Sequence, residues 1–331
     1  MDEIFMRRCL ELAEAGKGNT SPNPMVGAVV VYEGRIIGEG YHHRSGEPHA
    51  EVNAIAAVRN TNLLPSSTLY VNLEPCAHYG KTPPCADLII EKNIRRVVVA
   101  CLDPFPAVAG QGIYRLQQAG VEVVTGVLEK EARSLNKAFI TCHEQHRPYI
   151  FLKWAQSADG FMDRLRTDAS FPPVRFSSPA SRRVVHKLRA EVDAIMVGRR
   201  TAELDDPSLT VRHWAGRSPI RIVLGRQFKP SPQAHLSNGC VETHPLLPQV
   251  LADLSERKLN SLLVEGGATL LQSFLEAGLW DEAHVEVAPF SLVEGVKAPD
   301  IAISSLPILR QSTEEWMDGR RILHYYANPL A

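Results

Sequence analysis

The sequence predicts two α/β domains in tandem, and three observations lead there. With 331 residues the chain exceeds what a single hydrophobic core usually organises. Apolar runs of strand length alternate with amphipathic stretches of helix length, as in layered α/β folds. The alternation breaks once, at the polar run CHEQHRP from Cys142 to Pro148, and then starts again. The expected division is residues 1–146 and residues 147–331.

In the first part, MDEIFMRRCLELAEAGKG reads as an amphipathic helix with acidic residues at its start. MVGAVVVYEGRIIGEGY follows as two short strands joined at Glu33-Gly34. A helix is expected from Ala50 to Arg59, a strand in STLYVNLEPC ending at a Glu-Pro-Cys corner, and a helix from Ala86 to Lys92. RRVVVACLDP is apolar in a row, as strands buried on both faces are. A helix from Gly112 to Ala119 and the strand VEVVTGV complete an αββαβαβ order, which argues for a three-layer domain.

The second part opens with a strand from Tyr149 to Gln156. A helix from Pro179 to Glu191 puts Val184, Val185 and Leu188 on one stripe. Strands at Ala194–Val197, Ile220–Leu224, Ser261–Val264 and His284–Val287 and a helix at Ala268–Ala277 give a second α/β series. There is no internal repeat and no low-complexity tract.

Charge excludes some functions. Lys plus Arg number 36 against 37 Asp plus Glu, a net of −1, so no field draws the chain to nucleic acid or to an anionic membrane. The N-terminus lacks the basic and apolar regions of a secretory signal, and no apolar run is long enough to span a bilayer. Six cysteines scattered over the chain do not form a disulfide framework, which points to a reducing cytoplasm.

The chemistry begins at GEPHAEVNAI, where His49 and Glu51 stand two apart at a helix start. EPCAHYGKTPPC then presents Cys76 and Cys85 after a strand. One imidazole and two thiolates suit a tetrahedral Zn²⁺ with one corner left for water, the catalytic rather than structural pattern. Two thiolates neutralise the ion formally, so it acidifies water less than a three-histidine site does. Glu51 must then carry the proton. His-x-Glu with Pro-Cys and a second cysteine is the zinc-deaminase signature, here with a longer gap between cysteines. The alternative is a closed structural site with His78 as fourth ligand. The loop between the cysteines carries His78, Lys81 and Thr82 to the pocket mouth, and the amide of Asn23 can read a pyrimidine edge, the alternative being that Asn23-Pro24 only makes a turn.

TSPNPMVGAV, HAEVNAI, EPCAHYGKTPPCAD and DPFPAVAGQG in the first half resemble the bifunctional riboflavin-biosynthesis deaminase/reductases. LKWAQSADG, SSPASRRVVHKLRAEVDAIMVG, DDPSLTVR and VEGGATLLQSFLEAGLWDE extend the resemblance through the second half, in register. It implies a cytidine-deaminase-like three-layer α/β/α domain followed by a dihydrofolate-reductase-like α/β domain. The first would use one Zn²⁺ per chain to deaminate 2,5-diamino-6-(5-phosphoribosylamino)pyrimidin-4-one. The second would reduce the ribosyl group to ribityl with NADPH. The implied partners are a phosphorylated pyrimidine and further copies of the chain, with no nucleic acid and no membrane.

By the same resemblance Asn23, His42, His78, Lys81 and Thr82 match positions near the deaminase substrate, His42 toward the 5′-phosphate. A solvated His42-His43 pair is the alternative there. Lys153 would stand at the reducing centre. Arg189, Leu209, Arg212 and Glu265 match substrate contacts, the two arginines suiting the phosphate. Ala155, Thr201 and Asp205 match cofactor contacts. The cofactor's phosphate turn corresponds to Gly267, Ala268, Thr269, Leu270, Leu271, Gln272 and Ser273. No Gly-x-Gly-x-x-Gly is present, so this is not a Rossmann fingerprint. The chain departs from its relatives at Arg175-Phe176, where many carry a tryptophan, and at Gly225-Arg226, where an Asp-Ser pair is common. Arg226 could meet the 2′-phosphate of NADPH or be solvated surface. The competing functional readings are a single-activity deaminase with a non-catalytic second domain, a nucleic-acid-editing deaminase, and a non-enzymatic zinc scaffold.

Overall fold

A computed structural model describes residues 1–79, 83–105, 109–226, 228–238, 241–303 and 309–327. It divides into two compact units, Met1–His146 and Arg147–Pro329. Among the described residues no helix is long and apolar enough to cross a membrane.

The first unit runs α1 (Asp2–Glu14), β1 (Gly27–Tyr32), β2 (Arg35–Tyr41), α2 (Ala50–Ala56), β3 (Thr68–Leu73), α3 (Cys85–Glu91), β4 (Arg96–Cys101), α4 (Gln111–Gln118), β5 (Glu122–Thr125), α5 (Glu129–Leu135) and α6 (Lys137–Gln145). Its sheet has the order β2-β1-β3-β4-β5, antiparallel around β1 and parallel from β3 to β5. Successive residues face opposite ways, as strand geometry requires. Val30, Val71 and Val97 pack with Ala54 and Ile89 on one side, and Val29, Tyr70 and Val98 with Met6, Cys9 and Ile140 on the other. That is the expected three-layer arrangement. A Cβ on Gly38 or Gly40 would fall 2.4 or 2.6 Å from the backbone of Ala54, so these glycines let α2 lie directly on β2.

The predicted helix from Ala50 ends at Ala56 rather than Arg59. Helices α5 and α6 were not predicted, and α6 runs into the polar stretch read as a domain break. Phe139 and Ile140 bury against the sheet and hold the polar C-terminal turn in helical form.

The second unit contains β6 (Tyr149–Gln156), β7 (Phe161–Asp163), α7 (Pro179–Glu191), β8 (Ala194–Gly198), α8 (Arg199–Asp205), β9 (Ile220–Leu224), β10 (Val241–His244), α9 (Leu247–Glu256), β11 (Ser261–Val264), α10 (Ala268–Glu276), β12 (Glu282–Val287), β13 (Val296–Lys297), β14 (Leu309–Met317) and β15 (Arg320–Tyr326). Eight strands form one sheet in the order β10-β9-β8-β11-β6-β12-β15-β14. It is parallel from β10 to β12 and closes with an antiparallel β12-β15-β14 edge.

Ile150, Leu152, Trp154, Met196 and Val264 build the core on one face, with Leu271 and Phe274 of α10. The neighbouring residues Phe151, Lys153, Ala155, His284 and Glu286 therefore point to the other face. There Ser181 of α7 donates to Glu286 at 2.7 Å. Along the Val184 stripe, Val184 is exposed, and Ser181, His186 and Ala190 are what α7 buries. The face it covers is polar, so polar and small side chains meet it.

Candidate active sites

In the first unit, α2 begins at the site. His49 is its N-cap residue, with extended backbone and no side-chain capping bond, so the imidazole is not used by its own helix. Glu51 lies in the first turn and is only 3 % exposed. Cys76 follows β3, and Cys85 is the first residue of α3, where its backbone N–H donates to the Cys76 sulfur at 3.3 Å. His49 Nδ1 lies 3.7 Å from Cys76 Sγ and 3.4 Å from Cys85 Sγ. Zinc bound tetrahedrally, with Zn–S about 2.3 Å and Zn–N about 2.05 Å, needs such edges to be about 3.6 Å. The donor set fits that ion.

The cysteine pair shares one negative charge without a metal: the Cys85 thiol beside it holds Cys76 well below the usual thiol range, with His49 adding to the effect, and Cys85 is raised in turn. His49 is in turn raised by Cys76. Burial pushes Glu51 up to about 7. A carboxyl that takes and gives a proton near neutrality is what proton transfer at this place requires.

Around these four, Asn23 donates through Nδ2 to His42 Nε2 at 3.1 Å, and His42 Nδ1 donates to the Pro48 carbonyl at 3.1 Å. His42 is buried, so it is not half of a solvated pair with His43, and its outward nitrogen is already engaged by Asn23. The Met25 backbone beside Asn23 is gripped by two buried amides, Asn72 and Asn136. His78 is exposed near the cysteines; Lys81 and Thr82 lie outside the described residues.

Sequence reasoning passed over Glu74, the first residue of the Glu-Pro-Cys corner. Its buried carboxylate accepts from the backbone N–H groups of Asp103, Gly110, Gly112 and Ile113 at 2.8 to 3.3 Å. It ties the chain after β4 to the strand end that carries Cys76. The run of an acid before Pro-Cys was visible, but nothing local showed which N–H groups it would meet.

The second unit holds a cavity of about 890 Å³. Lys153, Ala155, Thr201, Asp205, Glu265, Gly266, Gly267, Ala268, Thr269, Leu270 and Ser273 all line it. Gly267 has φ +72°, and a Cβ there would meet the Thr201 hydroxyl at 3.2 Å. The turn thus presents bare backbone at the start of α10, a surface that suits a phosphate. The volume is within the range of cofactor pockets. These features fit a dinucleotide.

Other predicted contacts differ. Leu271 packs into the core, and the Gln272 side chain accepts from the Asp300 N–H. Arg189 does not stand ready for a phosphate. Its Nε and Nη2 form a fork on Glu265 at 2.8 and 2.6 Å, with the two side chains 11 % and 10 % exposed. Burial acts to raise the Glu265 carboxyl, but Arg189, aided by Lys153, brings it below the usual glutamate range. Arg212 is exposed, and its N–H donates to His186 Nδ1 at 3.0 Å. Burial pushes His186 down to about 4, with Arg189 and Arg212 adding to it. Leu209 is buried with φ +52°. Asp205, expected to face the cofactor, is bonded to Arg166, which also holds Asp163. Phe176 also lines the cavity.

Among the described residues Glu242, His244 and Asp253 also cluster, but Arg257 bridges both carboxylates at 2.7 and 2.9 Å and takes the place of a cation.

Residues 1–101 match the cytidine and deoxycytidylate deaminase zinc-binding region, and residues 148–300 match the RibD C-terminal domain. The riboflavin biosynthesis protein RibD of Aquifex aeolicus is 41 % identical over 335 residues, covering 92 % of each chain. That of Escherichia coli is 39 % identical, covering 87 % of this chain and 88 % of its own. Among solved structures, RibD of Acinetobacter baumannii superposes with a TM-score of 0.86 at 33 % identity, covering 99 % of both chains. A diaminohydroxyphosphoribosylaminopyrimidine deaminase/5-amino-6-(5-phosphoribosylamino)uracil reductase of Thermotoga maritima gives 0.84 at 35 % identity and 99 % coverage of both.

Proposed function

The chain belongs to the RibD family of riboflavin biosynthesis proteins, and from that premise we propose which of its residues carry the two reactions. It is a bifunctional enzyme, a zinc-dependent deaminase and an NADPH-dependent reductase in one polypeptide. It removes ammonia from 2,5-diamino-6-(5-phosphoribosylamino)pyrimidin-4-one and then reduces the ribosyl side chain to ribityl.

The deamination is assigned to residues 1–146. His49, Cys76 and Cys85 hold the zinc, which supplies the Lewis acidity that makes water nucleophilic near neutral pH. Glu51 takes the proton from the attacking water and returns it to the departing amine nitrogen. Asn23, held by His42, reads the ring edge through its remaining amide groups. The observation that carries this reading is the convergence of three ligand atoms at zinc-like spacing beside a buried, proton-sharing carboxyl.

The reduction is assigned to residues 147–331. NADPH supplies a hydride when bound. Gly267 to Leu270, Ser273 and Thr201 hold its phosphates, with Ala155 as a further cofactor contact and Asp205 in the wall through its bond to Arg166. Lys153 places an ammonium beside the sugar carbon that accepts the hydride. Arg212, which is exposed, takes the 5′-phosphate; Glu265 lines the cavity and is held by Arg189, with Leu209 as a further substrate contact. A phosphorylated small-molecule substrate, a cytoplasmic setting and assembly with further copies of itself complete the proposal, with no nucleic-acid role.

Reciprocal variants test the assignment. Glu51→Gln should keep its zinc, lose ammonia release at least about 100-fold, and still oxidise NADPH on supplied deaminated intermediate. Lys153→Ala should do the reverse. Ammonia release that survives in Glu51→Gln removes Glu51 from its role.

A further inference from the structure

The 2′-phosphate that distinguishes NADPH from NADH is close to a dianion at neutral pH and needs a cation to meet it. Three arginines line the 890 Å³ cavity: Arg166, Arg199 and Arg200. Arg166 is committed to Asp163 and Asp205. Arg200 donates to the Arg166 carbonyl at 3.0 Å. Lys153 is a strand neighbour of His284 and acts on Glu265, at the end of the cavity assigned to the sugar.

Arg199 is differently placed. Its guanidinium faces Glu203 one helical turn on, at 3.7 Å, with the arginine side chain 56 % exposed. Such an exposed pair is worth a few tenths of a kcal/mol and exchanges readily for a phosphate. Its stem runs against Gly225, where a Cβ would fall 2.5 Å from Arg199 Cβ and 3.3 Å from both Cγ and Cδ. Only a residue without a side chain leaves that path open. Leu224, just before Gly225, lines the same cavity, and Thr201, two residues after Arg199, touches the Gly266-Gly267 turn. Arg199 therefore stands at the rim beside the phosphate turn, with only the exposed Glu203 against its charge.

We propose that Arg199, seated by Gly225, reads the 2′-phosphate and sets the preference for NADPH over NADH; this rests on the cavity being the cofactor site. The probe is 2′,5′-ADP, with 5′-AMP as its control, titrated calorimetrically into the full-length protein. Arg199→Ala should weaken 2′,5′-ADP roughly 10- to 100-fold, the scale of one charge-assisted phosphate contact, and change 5′-AMP little. The ratio of kcat/KM for NADPH over NADH should fall by the same factor, chiefly through KM. Arg199→Lys should recover part of the loss. Gly225→Ala, which leaves every charge in place, should reproduce it by displacing the stem. Unchanged 5′-AMP binding and NADH oxidation by each variant report that the reductase unit is folded.

If Arg199→Ala binds 2′,5′-ADP as tightly as wild type, or if Arg226→Ala on the same turn carries the loss, Arg199 is not the reader. Wild-type protein that binds neither nucleotide and oxidises neither cofactor would instead bring down the cofactor site, and this inference with it.

Discussion

The two sites use buried charge in opposite ways. In the deaminase unit a lone carboxyl, Glu51, is buried beside soft ligands and is raised to about 7. In the reductase unit a carboxyl at the cavity wall, Glu265, is forked by Arg189 and lowered. The first surrounds its carboxyl with the Cys85 thiol and His49 and, among the described residues, no arginine, so that a proton can come and go. The second fixes its carboxyl as permanent charge that shapes a wall. Burial alone therefore does not tell a proton carrier from a structural ion; the partner does.

The largest expected effect separates the pair from its parts. Arg189→Ala leaves Glu265 buried without a counter-charge and should cost the reductase unit about 3–5 kcal/mol. A double change, Arg189→Met with Glu265→Gln, should cost clearly less. Urea unfolding of the three proteins is the check; equal losses would mean that the ion pair is not what holds this wall.

Acidity gives the next contrast, with opposite signs. Glu265 has a folded value below its ordinary 4.5, so its contribution is present above that pH and is lost as pH falls through the folded value. Glu51 in the zinc-free protein has a folded value near 7 against an ordinary 4.5, so the folded state binds the extra proton. Stability of the deaminase unit should then fall as pH rises from 4.5 to 7. Melting of chelator-treated protein across that window should show the slope, and Glu51→Gln should flatten it. A slope unchanged in the variant would place the effect elsewhere.

The smallest effect concerns Glu74. Glu74→Gln puts an amide donor among four backbone donors and should cost about 1–3 kcal/mol, the range for a buried group left unsatisfied. Because the tie leads to Cys76, zinc should leave the variant faster in a chelator competition. Unchanged zinc release would make Glu74 a stabiliser of the loop alone.

The deaminase site was largely legible in the sequence because its chemistry sits in short segments at element ends. His49 and Glu51 share one helical turn, and Cys76 and Cys85 flank one loop. The orientation of His42 was not legible, since its ring is fixed by Asn23 and the Pro48 carbonyl from separate loops. In the reductase unit the glycine turn and Lys153 could be named from the resemblance. The pairings of Arg189 with Glu265 and of Asp205 with Arg166 could not, because each joins residues about 40 or more apart in the chain. The buried side of α7 was not legible for a related reason: helical periodicity finds the apolar stripe, but the sheet face above α7 is polar and selects Ser181 and His186.

The sequence by itself determined the two-part α/β architecture and named His49, Cys76, Cys85 and Glu51, which the structure brings together, because strand and helix periods and ligand spacing are local properties of a chain. Only the tertiary structure decided which charges cancel, which tautomer His42 adopts and which arginine stays available at the cavity rim. Those outcomes depend on distances across the sheet and on what is excluded from water, and neither is written in neighbouring residues.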